Sequence, residues 1–228
     1  RDALVGELAS YIDVSGVTQD DGSANVYIGT GQPLVVGNTA TALTVAPDPF
    51  DPAKLNVAIR SNGATVDVSS QMSGGSLGGL LEYRREILDP ARDALGKVAA
   101  GVVAIVNGQH TQGITLSGAL ATDFFSMGGP AVLASSGNGG NATVTAAITD
   151  ARALTGHDYL LEFAGSWQLR DTTSGASVAL SGSGTSADPF IADGLSFVVG
   201  NAAIPGDKFR IEPTRDVVSG LRLNLDDP

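Results

Sequence analysis

The sequence predicts an α+β protein, mainly β, in which two small β-rich units surround one long amphipathic helix. Three observations carry that expectation. The stretch from Gly74 to His110 holds the only long helical period in the chain. Short segments of alternating polarity lie on both sides of it, separated by turns such as Asp21-Gly22, Gly29-Thr30-Gly31 and Ser61-Asn62-Gly63. The composition fits as well: 30 glycines with only 5% aromatic residues suit many short strands and tight turns better than a pocketed enzyme core.

Steps of four and three through the helical stretch give Leu77, Leu81, Arg84, Leu88, Ala91, Leu95, Val98, Val102, Ile105 and Gln109, of which eight are apolar. Leu80, Ile87 and Ala94 flank this seam on one side and Ala99 and Val106 on the other, so the stripe asks for more than one packing neighbour. A helix from Ser76 to His110 would span roughly 50 Å at about 1.5 Å per residue and project beyond the β-structure around it. Pro90 is its one flaw, because proline lacks the amide hydrogen and crowds the preceding turn. The expectation is a single element with a bend near Leu88 or a restart capped by Asp89. On this reading Leu95 is buried, and Leu95→Asp would cost several kcal/mol by burying an unpaired carboxylate.

In chain order, residues 1–12 form a short helix with Leu4, Leu8 and Tyr11 on one face and Val5 and Ile12 beside them. Residues 13–72 form the first β-unit, with strands around Val14 and Val17, Val26 and Ile28, Pro33 to Val36, Ala42 to Val45, Leu55 to Ile59 and Thr65 to Val68. The long helix occupies 73–113. Residues 114–228 form the second β-unit, entered through a loop that Phe124 and Phe125 anchor. Its strands are expected at Ala142 to Ala146, Tyr159 to Phe163, Trp167 to Asp171, Ser177 to Leu180, Leu195 to Val199 and Lys208 to Pro213, with a Gly/Ser/Thr-rich surface loop at 181–188. Arg1 opens inside a helical pattern, while Leu221, Leu223 and Leu225 alternate like a strand before Asp226, Asp227 and Pro228. The sequence therefore reads as a piece of a longer chain.

Charge and residue usage narrow the function. With 24 acidic against 13 basic residues the net charge is −11, which disfavours nucleic acid and anionic membrane surfaces as partners. No apolar run approaches the roughly 18–20 residues of a membrane span, and nothing near Arg1 reads as a cleavable signal. The absence of cysteine removes disulfides, thiolate nucleophiles and cysteine metal sites.

Candidate chemistry is sparse. His110 and His157 lack the companions that a triad or a metal centre requires, so both are read as structural or solvated, His157 beside Asp158 in a turn. Gly29-Thr30-Gly31 has no third glycine, no Lys-Ser/Thr pair and no helix after it, which makes it a hairpin rather than a phosphate loop. Asp20-Asp21-Gly22 offers too few oxygens for a calcium loop. Glu82 and Glu86 stand four apart beside Arg84 and Arg85, a solvated and salt-bridged helix face. Trp167, between Phe163 and Leu169, covers a sheet more readily than it offers a stacking platform. The expected catalytic, cofactor-binding and metal-ligating residues are none, and no cofactor is expected.

The run Arg1-Asp2-Ala3-Leu4-Val5-Gly6-Glu7-Leu8, the Asp21-Gly22 hairpin leading to Gly31-Gln32-Pro33-Leu34-Val35, and Gly75-Ser76-Leu77-Gly78-Gly79-Leu80-Leu81-Glu82-Tyr83-Arg84 resemble one known family. So do Asn107-Gly108-Gln109-His110, Asp123-Phe124-Phe125, Asp158-Tyr159 ahead of Trp167, and Gly206-Asp207-Lys208-Phe209-Arg210-Ile211-Glu212-Pro213. In that joint order the chain resembles the first hook-associated proteins of bacterial flagella, the hook–filament junction family. The resemblance implies a non-enzymatic axial building block, similar to flagellin and hook protein. It would be exported through the flagellar type III apparatus without a cleavable signal peptide, sit outside the cell and serve motility. Implied partners are neighbouring copies of itself, hook protein and other hook-associated proteins. The family's terminal helical segments have no counterpart here, so residues 1–12 are expected to be the stub of a coiled-coil helix. The alternative from the residues alone is a surface β-domain that binds host glycan or protein through Trp167 and the 181–188 loop.

Overall fold

The computed structural model describes residues 1–20, 22–61 and 63–224. Asp21 of the first hairpin, Asn62 of the Ser61-Asn62-Gly63 turn, and the expected strand end from Leu225 to Pro228 lie outside the described residues. The chain is α+β and mainly β. It divides into two compact units, Arg1–Asp89 and Pro90–Pro228.

The first unit opens with α1 (Asp2–Tyr11) and continues through β1 (Val14–Thr18), β2 (Ala24–Ile28), β3 (Gln32–Val36) and β4 (Thr39–Ala40), an antiparallel sheet in that order. A second antiparallel sheet follows from β5 (Leu43–Pro47), β6 (Leu55–Ser61) and β7 (Ala64–Asp67). Period-two alternation turns Val26 and Ile28 inward, and Ile28 joins Ile12, Ile59, Val68 and Met72 in a small core. Gly29-Thr30-Gly31 is the turn between β2 and β3. Gly29 has φ 54°, and a Cβ there would lie 1.9 Å from the Gln71 carbonyl oxygen, so the tight approach admits only glycine.

Helical residues then run without a break through α2 (Gly75–Tyr83), a π-helical turn at Arg84–Leu88, and α3 (Asp89–His110). The flaw expected at Pro90 takes the form of that widened turn. Pro90 has no N–H to give to the carbonyl one turn back, and a π-helical turn on its N-terminal side leaves room for the ring. Asp89 keeps helical angles, φ −63° and ψ −49°, so it continues the helix and does not cap a new one. Its carboxylate lies 3.5 Å from Lys54 Nζ.

The second unit holds α3 and ten strands: β8 (Phe125–Ser126), β9 (Ala131–Ala134), β10 (Thr143–Ile148), β11 (Tyr159–Phe163), β12 (Trp167–Asp171), β13 (Ser177–Val178), β14 (Phe190–Ala192), β15 (Leu195–Gly200), β16 (Lys208–Glu212) and β17 (Arg222–Leu223). They form a five-stranded sheet β13-β12-β11-β16-β9, a three-stranded sheet β10-β15-β14 and the pair β17-β8, all antiparallel. Register decides the core. Leu161 stands opposite Leu169 on one side and Phe209 on the other, while Tyr159 stands opposite Ile211. These side chains meet Leu195 and Phe197 of the other sheet in one continuous core. Near the end of α3, Asn107 clasps the backbone of Phe125 in both directions, donating to its carbonyl at 2.8 Å and accepting its N–H at 2.9 Å. Phe124 stacks edge-on against both His110 and Phe125, and so anchors the loop as expected.

Helix α3 packs on this β-unit through Asp93, Gly96, Ala100 and Val103. The approach is tight at Gly96, where a Cβ would fall 1.9 Å from the Thr214 carbonyl oxygen. Gly96→Ala would add about 1 kcal/mol of helix propensity. The clash with backbone outweighs it, since overpacking costs about 1–3 kcal/mol. The expected outcome is a lower urea midpoint for Gly96→Ala, read by the fluorescence of Trp167, the sole tryptophan and a member of β12.

Candidate functional site

Two rows of residues on α3 share the same 3-4-3 spacing. Asp93, Gly96, Ala100 and Val103 are buried on the β-unit. Leu95, Val98, Val102 and Ile105 are offset by two residues at the start, which is about 200° around a helix, and they face the other way. Their exposures are 59%, 64%, 52% and 65%. The seam expected to be core-facing is therefore outward in this unit, and the burial expected for Leu95 is not found. The reason is the small residues: Gly96 and Ala100 let the helix backbone come close to the β-unit, which a row of leucine and valine would hold off. In the first unit, α2 and the π-helical turn likewise expose Leu80 (68%), Tyr83 (51%) and Ile87 (56%). Rows of large exposed apolar side chains mark candidate interaction surfaces.

The inner face of α3 carries charge. Arg215, in the segment after β16, holds Asp93 with two hydrogen bonds, Nε to Oδ1 at 3.2 Å and Nη2 to Oδ2 at 2.9 Å. Its Nη2 also reaches Asp158 Oδ2 at 3.0 Å, and its Nη1 meets Glu212 Oε1 at 2.9 Å. Thr214 adds a hydrogen bond from Oγ1 to the Asp93 carbonyl at 3.0 Å. All four charged side chains are largely enclosed, which makes the mutual pairing strong but each member costly to lose. Burial alone would lower the Arg215 pKa, yet its three carboxylates raise it above the ordinary arginine value.

The residues singled out in the sequence fall into separate surroundings. His110 Nδ1 lies 2.6 Å from the Thr122 carbonyl oxygen. His157 Nδ1 lies 2.7 Å from Asp171 Oδ2. Burial raises the Asp171 carboxyl, but hydrogen bonds from His157 and the backbone of Ser174 and Thr173 outweigh it and bring the pKa to about 2. Glu82 and Glu86 lie on the helical run, where Arg85 pairs with Glu86 at 3.0 Å, both side chains about half exposed. Trp167 packs between Phe163 and Phe209, with ring centroids 5.2 and 6.0 Å away, and supports the core rather than presenting a platform. The 181–188 loop closes on itself, with the N–H groups of Ser183 and Thr185 both donating to the Asp188 carbonyl at 3.1 Å. The glycan-binding alternative finds no support in these placements. Among the described residues no three His, Cys, Asp or Glu side chains group as metal ligands would, and no helix is long and apolar enough to cross a membrane.

The Arg215 cluster was not foreseen. Its only local signal is Glu212-Pro213-Thr214-Arg215, a pair three apart, because Asp93 and Asp158 come from distant parts of the sequence. Asp207 directly precedes β16. Its buried carboxylate accepts N–H groups from Ile204 at 3.0 Å, Gly140 at 3.1 Å and Gly139 at 3.0 Å, which hold its pKa below the ordinary value.

Fold and surface together define a packing module, with a small-residue helix face docked on a β-unit and a large-residue face turned outward. The model of the flagellar hook-associated protein FlgK helical domain matches residues 1–125, and that of the flagellar hook-associated protein 1 D2-like domain matches residues 133–213. The chain belongs to the flagellar hook-associated protein 1 (FlgK) family. It is 31% identical to flagellar hook-associated protein 1 of Escherichia coli K12, a match that covers 100% of this chain and 42% of that protein. It is 32% identical to the protein of the same name from Salmonella typhimurium, over 99% of this chain and 41% of the relative. The solved structure of the flagellar hook junction protein FlgK from Burkholderia pseudomallei superposes with a TM-score of 0.85 at 32% identity, over 99% of this chain and 42% of that one. The chain thus spans less than half the length of the relatives it matches.

Arg215→Met keeps much of the side-chain volume but removes the guanidinium that three enclosed carboxylates share. Removing one partner of a buried ion pair costs about 3–5 kcal/mol. A drop of that size in unfolding free energy at pH 8, followed by Trp167 fluorescence, is expected; a change below about 1 kcal/mol would contradict the pairing described.

Proposed function

We propose that this chain is a structural part of a hook–filament junction protein and works by packing, with no catalytic step. The observation that carries the reading is the outward apolar face of α3, where Leu95, Val98, Val102 and Ile105 are each more than half exposed. Such a face is stable in water only at a cost, and the cost is removed when another helix covers it. In the full-length protein that cover comes from helical segments beyond the region described, so that α3 carries the position of its β-unit into the packed part of the axial structure. The relatives bear the names hook-associated protein and hook junction protein, and family membership supports the same role here.

On this reading the partners are neighbouring copies of the protein, hook protein and other hook-associated proteins, in the flagellum outside the cell. Export proceeds through the flagellar type III apparatus without a cleaved signal. The absence of cysteine agrees with passage as an unfolded thread, since no disulfide has to be broken or re-formed. A net charge of −11 agrees with partners other than nucleic acid or an anionic membrane.

Leu95→Asp separates this reading from a purely internal role for the helix. In the 228-residue chain the substituted side chain stays in water, so stability should change by no more than about 0.5 kcal/mol. In the full-length protein the same carboxylate enters the covered face, and cells carrying it should shed filaments and swim poorly. Normal filaments and swimming in those cells would count against the proposal.

A further inference from the structure

Three carboxylates from three parts of the second unit converge on one guanidinium: Asp93 from α3, Asp158 from the residue before β11, and Glu212 from the end of β16. The sharing is unequal. Asp93 receives two hydrogen bonds from Arg215, while Asp158 receives one, from a nitrogen that also serves Asp93. The other oxygen of Asp158, Oδ1, is buried and has no hydrogen-bond partner among the described residues. A buried carboxylate oxygen without a donor is poorly solvated when charged, and a proton removes that charge.

Other charged groups face the same place. Arg210 of β16 acts on Asp158 through its charge. Lys97, one turn beyond Asp93, directs Nζ to the Thr155 carbonyl at 3.4 Å. His157, next in sequence to Asp158, is engaged with Asp171 at 2.7 Å. Arg215 is thus shared among three carboxylates, and the Arg210 charge acts on Asp158 as well.

We propose that Asp158 is the proton site of a clamp that holds α3 on the β-unit, tightening when it takes up a proton and slackening when it releases one. The direction of the pH effect follows from the same geometry. Burial pushes the Asp158 carboxyl up; Arg215 pulls it back, Asp93 and Glu212 push it further, and it settles at about 7 against an ordinary value of 3.8. A folded-state pKa above the unfolded one adds stability that is fully present below 3.8 and is lost as the pH rises through about 7. Asp171 and Asp207, whose values are depressed, act only below the ordinary carboxylate range; Tyr159, raised by burial, acts above the ordinary phenol range. The window between pH 4 and 8 therefore belongs to Asp158 among the displaced groups. This clamp lies within one unit and stands whether or not the junction reading holds.

The test uses the 228-residue chain, with urea unfolding followed by Trp167 fluorescence between pH 8 and pH 5, for the unaltered protein and for Asp158→Asn, which imitates the protonated form. The unaltered protein should gain on the order of 10- to 100-fold in its folding equilibrium constant from pH 8 to pH 5. Asp158→Asn should lose that dependence. Corrected for intrinsic rates, amide exchange in α3 around Gly96 and Ala100 should slow over the same range only in the unaltered protein. A flat profile for the unaltered protein, an equal slope in Asp158→Asn, or α3 protection that ignores pH would overturn the clamp. Should Asp158→Asn not fold, the carbon-13 signal of the Asp158 carboxyl in the unaltered protein decides: a midpoint above about 5 supports the proposal and one below overturns it.

Discussion

The close approach of α3 to its β-unit, made possible by a glycine and fixed by an arginine, is the constraint on which the second unit depends. Gly96 removes the side chain that would separate the helix from the Thr214 carbonyl, and Arg215 then reaches Asp93 with two hydrogen bonds. Sterics and charge act on adjacent turns of the same helix face. Neither suffices alone: a glycine in mid-helix weakens it by about 1 kcal/mol relative to alanine, and an enclosed ion pair is a weak source of net stability. Together they fix which face of α3 turns inward, and the buried face is thereby settled by fit rather than by hydrophobicity.

That choice has a consequence for the other face. Once Asp93, Gly96, Ala100 and Val103 face the sheet, helical geometry sends Leu95, Val98, Val102 and Ile105 into solvent. The larger apolar residues are thus exposed, while the smaller ones make the contact within the unit. Of the residues that bind the helix to the sheet, Asp93 is also the member of the Arg215 cluster that α3 contributes.

Much of the fold was legible. Period-two alternation located β11, β12, β15 and β16, and the 3.6-residue period located the helical run through to His110. Short strands escaped because two to four residues carry no period: Thr39–Ala40, Ala131–Ala134 and Phe125–Ser126 are defined by their partners, whereas Arg222–Leu223 falls where Leu221, Leu223 and Leu225 alternate. The β14–β15 hairpin did leave a signal, Asp193-Gly194, whose φ angles of 47° and 78° suit a two-residue turn of the kind that Asp-Gly favours. Which helix face is buried was misjudged for a physical reason. Apolar content points to burial only when every partner is present, and close packing by Gly96 and Ala100 contributes almost nothing to an apolar count. The Arg215 cluster was illegible because its members are separated by 122 and 57 residues along the chain.

A junction role requires the outer face of α3 to be a packing surface rather than a solvated one. Because the chain contains no cysteine, Val98→Cys introduces a single reporter thiol. Its rate of alkylation is to be measured in the 228-residue chain and in the full-length protein assembled at the hook. The account predicts rapid labelling in the chain and protection by at least about tenfold in the assembly; equal labelling in both would contradict it.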